Sequence, residues 1–259
     1  VPEITVYFWI VKILTTAMGE ATSDYLVFHM NPVIAVIIGT VGLCLAVVAQ
    51  FLVRRYIAAV YWFLVVMVSI VGTMAADIVH VVLGVPFLYS TILFLVALGV
   101  IFTLWQRTEH TLSIHSIVTL RREIFYWLTV SATFALGTAA GDMTAATLHL
   151  GYLVSGLLFL ALFVAPAIGY WKFSLNDVFA FWFAYIMTRP LGASFADWVG
   201  KPAGMGGLGY GTAAVSIVLT LLIILFVSYL SVTRRDTIEA AGEAYPPNGA
   251  AAHSRGKHS

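Results

Sequence analysis

The sequence predicts an all-α polytopic membrane protein with eight transmembrane helices, built from four parallel two-helix repeats. Three observations predict it. Of 259 residues, 61% are hydrophobic and 10% charged, with mean hydropathy +0.97, against roughly 25% charged in a soluble domain. Apolar runs of the roughly 20 residues that a bilayer crossing needs recur along the chain. One pattern is also written four times: an aromatic residue, Trp, nine residues, Gly, four residues, Asp. A β-barrel is excluded, because its strands would alternate polar and apolar at period two.

The spans follow in order at 4–26, 33–53, 57–80, 86–106, 122–148, 151–172, 177–199 and 209–233. The first carries Phe8-Trp9, Gly19 and Asp24, the third Tyr61-Trp62, Gly72 and Asp77. The fifth carries Tyr126-Trp127, Gly137 and Asp142, the seventh Phe181-Trp182, Gly192 and Asp197. The even-numbered spans are plainer; VIAVIIGTVGLCLAVVAQFLV holds no ionisable side chain but Cys44. Each unit is thus a hairpin of one polar-marked and one apolar helix, at 4–53, 57–106, 122–172 and 177–233. Two spans per unit insert successive units the same way up. Span seven contains Arg189-Pro190, and a proline there is expected to kink the helix.

A transmembrane domain over 1–235 and a disordered cytoplasmic tail over 236–259 complete the division. The tail, DTIEAAGEAYPPNGAAAHSRGKHS, has no apolar period. The loop RTEHTLSIHSIVTLRRE joins the two halves and has the length of a short interfacial helix. Arg54, Arg55, Arg107, Arg121, Arg122, Lys172, Arg234 and Arg235 fall on one side, and the opposite loops hold only Lys201. The Lys/Arg bias of short loops therefore puts both termini in the cytoplasm and the four Asp towards the outer end. The first residues lack a basic stretch and a small-residue cleavage site, so no signal peptide is expected.

With each motif Trp at zero on a helical wheel, residues Trp+3, +7, +11 and +15 fall at about −60°, −20°, +20° and +60°. Those positions hold Lys12, Val65, Val130 and Tyr185, then Thr16, Ser69, Phe134 and Arg189. Next come Glu20, Thr73, Thr138 and Ala193, then the four Asp. Every ionisable residue in a motif helix body lies in this sector. A charge facing lipid costs at least about 2.5 kcal/mol, so the motif helices are expected inside and helices 2, 4, 6 and 8 outside. Gly19, Gly72, Gly137 and Gly192 read as packing positions. Trp9, Trp62, Trp127 and Trp182 read as an inner-leaflet anchor or an interface plug.

A ring of carboxylates in a low-dielectric setting is a cation or proton site. Glu20, Asp24, Asp77, Asp142 and Asp197 are the candidate ion ligands, with His29, His80 and His149 as possible additions. Carboxylates with imidazoles suit first-row divalent ions. Lys12 and Arg189 either pair with these acids or gate them. The leading expectation is a carrier for a divalent transition metal such as Mn²⁺, coupled or not to protons, with a cation channel as its close variant. A non-transporting sensor or assembly protein with a structural ion-pair core is the alternative, and a metal-bearing membrane enzyme a third. No phosphate loop, Cys pair, HExxH or Ser/His/Asp set occurs. No enzyme activity is therefore expected, and no cofactor beyond the divalent metal ion as substrate. Nothing supports nucleic-acid binding; the partners expected are membrane lipids, inorganic cations and protons.

The strings ITVYFWIVKILTTAMGEATSDYL, RTEHTLSIHSIVTLRREIFYWL, FALGTAAGD and TRPLGAS resemble a family of small bacterial multi-span proteins known only as membrane-anchored proteins. The resemblance covers about residues 3–233 and implies a bacterial inner-membrane location, with no activity or site residue attached. The seam assignment predicts that Asp142→Asn impairs function, read as metal-dependent growth of a deletion strain, more than Asp236→Asn does.

Overall fold

The computed structural model describes residues 1–53 and 55–237; Arg54 and the tail beyond Thr237 lie outside the described residues. Eight helices follow one another: α1 (Val6–His29), α2 (Pro32–Leu52), α3 (Ala58–Asp77), α4 (Phe87–Glu109), α5 (Leu120–Asp142), α6 (Gly151–Phe173), α7 (Asp177–Gly200) and α8 (Thr212–Thr233). Side chains cap several starts. The oxygens of Thr5, Asn31, Thr119 and Asn176 each accept a backbone N–H from the first turn that follows. Six of the eight, α2 to α6 and α8, are long and apolar enough to cross a membrane by these criteria. The other two, α1 and α7, hold the buried charges; at 24 residues each they reach about 36 Å.

The motif helices close a ring in which α1 packs on α3, α3 on α5, α5 on α7 and α7 on α1. The even-numbered helices lie outside this ring and present exposed apolar side chains such as Ile37, Leu45, Leu95, Val96, Leu157 and Leu221, a surface for lipid. One feature departs from the hairpin reading. Each outer helix packs chiefly on the motif helix that follows it: α2 on α3, α4 on α5 and α6 on α7. The last, α8, returns to α1 and closes the circle. The hairpin is the unit of sequence, whereas the packed pair spans two successive repeats.

Two sets of contacts run round the ring, each using equivalent positions in every repeat. Near the inner end, the aromatic residue before each Trp touches the Trp of the next motif helix. Ring centres lie 5.7 Å apart for Phe8–Trp62, 5.4 Å for Tyr61–Trp127, 6.2 Å for Tyr126–Trp182 and 5.7 Å for Phe181–Trp9. Such tilted pairs stabilise by about 0.5–1.5 kcal/mol beyond their buried area. Trp62, Trp127 and Trp182 are buried and Trp9 partly so, which makes the quartet a plug between helices rather than an anchor at the lipid interface.

Higher up, each motif glycine lies against the Trp+7 residue of the next helix. A Cβ at Gly19 would meet Ser69 Cβ at 2.5 Å, and one at Gly72 would meet Phe134 Cβ at 2.8 Å. At Gly137 it would meet Arg189 Cβ at 2.6 Å and Pro190 Cδ at 2.9 Å; at Gly192 it would meet the Thr16 side chain and Ala17 N at 2.8 Å. Only a residue without a side chain permits this approach, which is why the repeat keeps glycine there. Helix α7 continues through Pro190 to Gly200. Pro190 packs beside Gly137 and Gly141.

The half-joining loop folds as a single 3₁₀ turn, Ile114–Ser116, not as an interfacial helix. It covers the inner end of the ring: Ile114 is buried, and Leu112 O accepts from Trp182 Nε1 at 2.9 Å. Asp236, placed in the tail by composition, is 2% exposed. Its carboxylate accepts from Tyr56 Oη, and its carbonyl accepts from Glu3 N at 3.0 Å. Comparing Asp142→Asn with Asp236→Asn therefore tests a partly buried acid against a buried one, not against a free one. From the ring we expect Gly72→Ala to destabilise by about 1–3 kcal/mol through overpacking, read as a lowered melting temperature in detergent. Gly99→Ala is the control: no neighbour lies within 4 Å of the added carbon, and helix propensity raises stability there by up to about 1 kcal/mol.

Candidate functional site

The ring brings one stripe of each motif helix to its centre, and the stripe is layered. Highest in sequence on α7 among its buried charges but one is Arg189, 1% exposed at the Trp+7 level. Its Nη2 shares its two N–H protons among Glu20 Oε2 at 2.7 Å, Thr138 Oγ1 at 2.7 Å and Thr73 Oγ1. Its Nη1 donates to Thr16 O at 3.4 Å. Glu20, Thr73 and Thr138 are the Trp+11 residues of α1, α3 and α5, so one side chain from α7 bonds to all three other motif helices. The threonines accept because their own protons are committed: Thr73 donates to Ser69 O at 2.9 Å and Thr138 to Phe134 O at 3.1 Å. A planar guanidinium with five donors can make such a junction, and an ammonium cannot reproduce its geometry.

Towards the outer end comes the carboxylate layer. One oxygen each from Glu20, Asp24 and Asp197 lies within 4.8 Å of the others. Lys201 Nζ approaches two of them, at 3.0 Å from Asp197 Oδ2 and 3.5 Å from Asp24 Oδ2, with the ring of Tyr152 5.1 Å away. Asp24 Oδ2 receives no hydrogen bond, and Ser23, fully buried beside it, leaves its hydroxyl without a partner. Burial acts to lower the Lys201 pKa, but Asp197 and Asp24 outweigh it and hold this loop ammonium well above the ordinary lysine value. Asp77 and Asp142 stand on the remaining two helices, partly buried, and form no ion pair among the described residues. Directly after each of them the helix widens into a π turn, Ile78–Val82 and Met143–Thr147.

Lys12 is placed differently from Arg189. It is 1% exposed and has no acidic partner among the described residues; its Nζ lies 4.0 Å from the Phe134 ring centre and 4.1 Å from that of Tyr185.

The histidines do not join the carboxylates. His29 is exposed, with Nδ1 2.9 Å from Tyr25 O and its ring stacked on Tyr25. His80 lies in the first π turn, with Nδ1 2.7 Å from Val85 O and its ring on Phe87. His149 is exposed in the loop, at φ 55°. Their offsets from the motif Asp are five, three and seven residues, so at about 100° per residue no common direction on the helix follows. Sequence reasoning also passed over Lys201, treating it only as a loop charge. The signal was present, because Lys201 follows Asp197 by four residues, a spacing that brings two helical side chains together.

Fold and site together define a multi-pass membrane protein whose four-helix axis carries buried ionic layers. The chain belongs to the family described as Repeat of Unknown Function (DUF347), which matches it four times, over 7–56, 60–111, 125–175 and 180–236. None of the curated proteins and none of the solved structures compared with it matches.

Arg189→Met should destabilise by roughly 3–5 kcal/mol, because Glu20 is left buried and unpaired. Arg189→Lys should recover little, whereas adding Glu20→Gln to Arg189→Met should recover part; chemical unfolding of wild type, Arg189→Met, Glu20→Gln and the double variant as a cycle measures it. For Lys201 the folded-state pKa is raised, so its stabilisation is complete below the unfolded value of about 10.4 and is lost as pH rises past it. The melting difference between wild type and Lys201→Met should stay level from pH 7 to about 9 and shrink above about 10.4.

Proposed function

We propose that the protein carries a cation across the membrane, a divalent ion such as Mn²⁺, with the carboxylates of the outer layer as its ligands. One observation carries the reading: one carboxylate oxygen each from Glu20, Asp24 and Asp197 lies within 4.8 Å of the others, with Lys201 as the only base paired to the two aspartates among the described residues and Asp77 and Asp142 at the equivalent positions of α3 and α5. Such a surplus of negative charge is stable when a cation or protons compensate it. Asp24 Oδ2, which receives no hydrogen bond and lies 3.5 Å from Lys201 Nζ, keeps lone pairs for a cation. With the histidines directed elsewhere, the donor set is oxygen alone, which suits Mn²⁺, Mg²⁺ or Ca²⁺ over Zn²⁺ or Ni²⁺.

In this reading the cation enters from the outer face and displaces Lys201 from Asp24 and Asp197. Lys201 lies on a glycine-rich connection, KPAGMGGLGYG, whose Gly206, Gly209 and Gly211 have positive φ. Arg189, fixed by Glu20 and two threonines, forms the floor of the binding layer and repels the cation from below. The aromatic plug closes the inner end. The Lys/Arg bias of the loops favours both termini in the cytoplasm, the resemblance to bacterial multi-span proteins favours an inner membrane as the location, and no chemical transformation is assigned to the chain.

The Arg189 junction favours a second reading, a structural ion-pair core in a sensor or assembly protein, since a side chain bonded to three helices also serves as a lock. Two measurements separate them. Mn²⁺ at about 100 times Kd should stabilise the purified protein by about 2.7 kcal/mol, read as a raised melting temperature. Asp77→Asn and Asp142→Asn should each reduce that shift and the Mn²⁺ flux into proteoliposomes while leaving the fold intact. A melting temperature indifferent to Mn²⁺, Mg²⁺ and Ca²⁺, with flux equal to that of empty vesicles, would leave only the structural core.

A further inference from the structure

Lys12 is the one buried base on the axis that neither the carboxylate layer nor the Arg189 junction employs. It sits two helical turns below Glu20 and just above the aromatic plug. No carboxylate is within ion-pair distance of it among the described residues. Around its ammonium lie two aromatic faces, those of Phe134 and Tyr185. Of the charged and titratable groups, Arg189 and Tyr185 from α7 face it, Tyr126 of α5 and Tyr61 of α3 lie in the aromatic plug, and on its own helix Glu20 is held by Arg189. From α8, Tyr229 packs at a tilt on Tyr7, which lies at about 160° on the wheel, away from the axis. Isolated ionisable groups inside a membrane bundle are rare and mark ion or proton pathways.

Beneath Lys12 the plug is aromatic, and beside the indole N–H groups of its tryptophans its polar atoms include a set of phenol hydroxyls. Tyr61 and Tyr126 are buried and share a hydrogen bond between their hydroxyls. Tyr185 is fully buried with a hydroxyl that has no partner. Tyr56 packs on Tyr61 with ring centres 5.8 Å apart and bonds Asp236 at the inner surface. Close-packed rings stop a metal ion, whereas hydroxyl groups can hand on a proton. A cation held above and an ammonium at Lys12 also repel each other along one low-dielectric axis.

We propose that Lys12 is the proton-carrying group that couples cation binding to proton release, and that the hydroxyls of Tyr185, Tyr126 and Tyr61 carry that proton through the plug. The proposal rests on the cation reading above. In the step the ammonium N–H bond breaks and nitrogen keeps the electron pair. The proton passes to a phenol oxygen, whose own proton moves to the next, and water at the inner face takes the last. No electron is transferred. Departure of the cation lets the amine recover a proton by the same route.

The test uses the full chain in detergent, in weakly buffered solution with a pH dye, and Mn²⁺ as the probe. Wild type should release protons as Mn²⁺ binds. Lys12→Met should keep the Mn²⁺-induced melting shift and lose the release by about tenfold or more, since no base remains to give up the proton. Lys12→Arg, permanently charged, should weaken Mn²⁺ binding and release nothing; it also serves if Lys12→Met does not fold. Tyr126→Phe should leave the amount released unchanged and slow Mn²⁺-driven proton flux in proteoliposomes. Mn²⁺ binding without proton release in wild type, or undiminished release in either Lys12 variant, overturns the coupling and leaves the cation reading intact. Absence of Mn²⁺ binding by wild type overturns the cation reading, and the coupling with it.

Discussion

A guanidinium turned towards hydrocarbon costs several kcal/mol, and the bundle is arranged so that both terminal nitrogens of Arg189 meet acceptors. Glu20, Thr16, Thr73 and Thr138 reach it from three helices. To converge on one side chain, those helices must approach α7 and one another closely. The glycine at Trp+10 in each repeat permits that approach, and Gly137 does so for Arg189 itself. With the junction made, Asp24 and Asp197 are drawn to one level above it and the aromatic residues to another below.

The fourfold repetition and the chemistry occupy different positions. Residues kept in all four repeats, the aromatic–Trp pair, the glycine and the aspartate, include those that make equivalent contacts from helix to helix round the ring. Residues that differ among repeats break the symmetry: Lys12, Val65, Val130 and Tyr185 at Trp+3, or Glu20, Thr73, Thr138 and Ala193 at Trp+11. Four arginines at Trp+7 would repel one another; one arginine with an acid and two hydroxyls above it is a neutral, bonded set. Even the aspartates share an alignment but not an environment. Two meet Lys201, and two precede π turns without a charged partner among the described residues.

Much of this was legible because membrane constraints are severe. Helix length is set by bilayer thickness, so the spans could be placed within a few residues. Charge excluded from lipid has to face inward, so the seam and the inside–outside sorting of helices followed from a wheel. Local readings failed where a nearby backbone group or a distant segment competed for a side chain. His80 turns to Val85 O within its own loop. Asp236, in a stretch without apolar period, is buried because Tyr56 and Glu3, far away in sequence, bond to it. The loop after Arg107 lies over the ring with one 3₁₀ turn, held in part by the Trp182 indole.

The sequence by itself determined the number of helices, their grouping into repeats and the face of each motif helix that turns inward. All three depend on periodicity and on the expense of charge in hydrocarbon, which act within a single helix. Only the tertiary structure decided which charges meet. Contacts such as Arg189 with Glu20, Lys201 with Asp24, and α8 with α1 join segments remote in sequence. They depend on how far each helix slides and turns against its neighbour, a quantity set by close packing between helices and written in neither one alone.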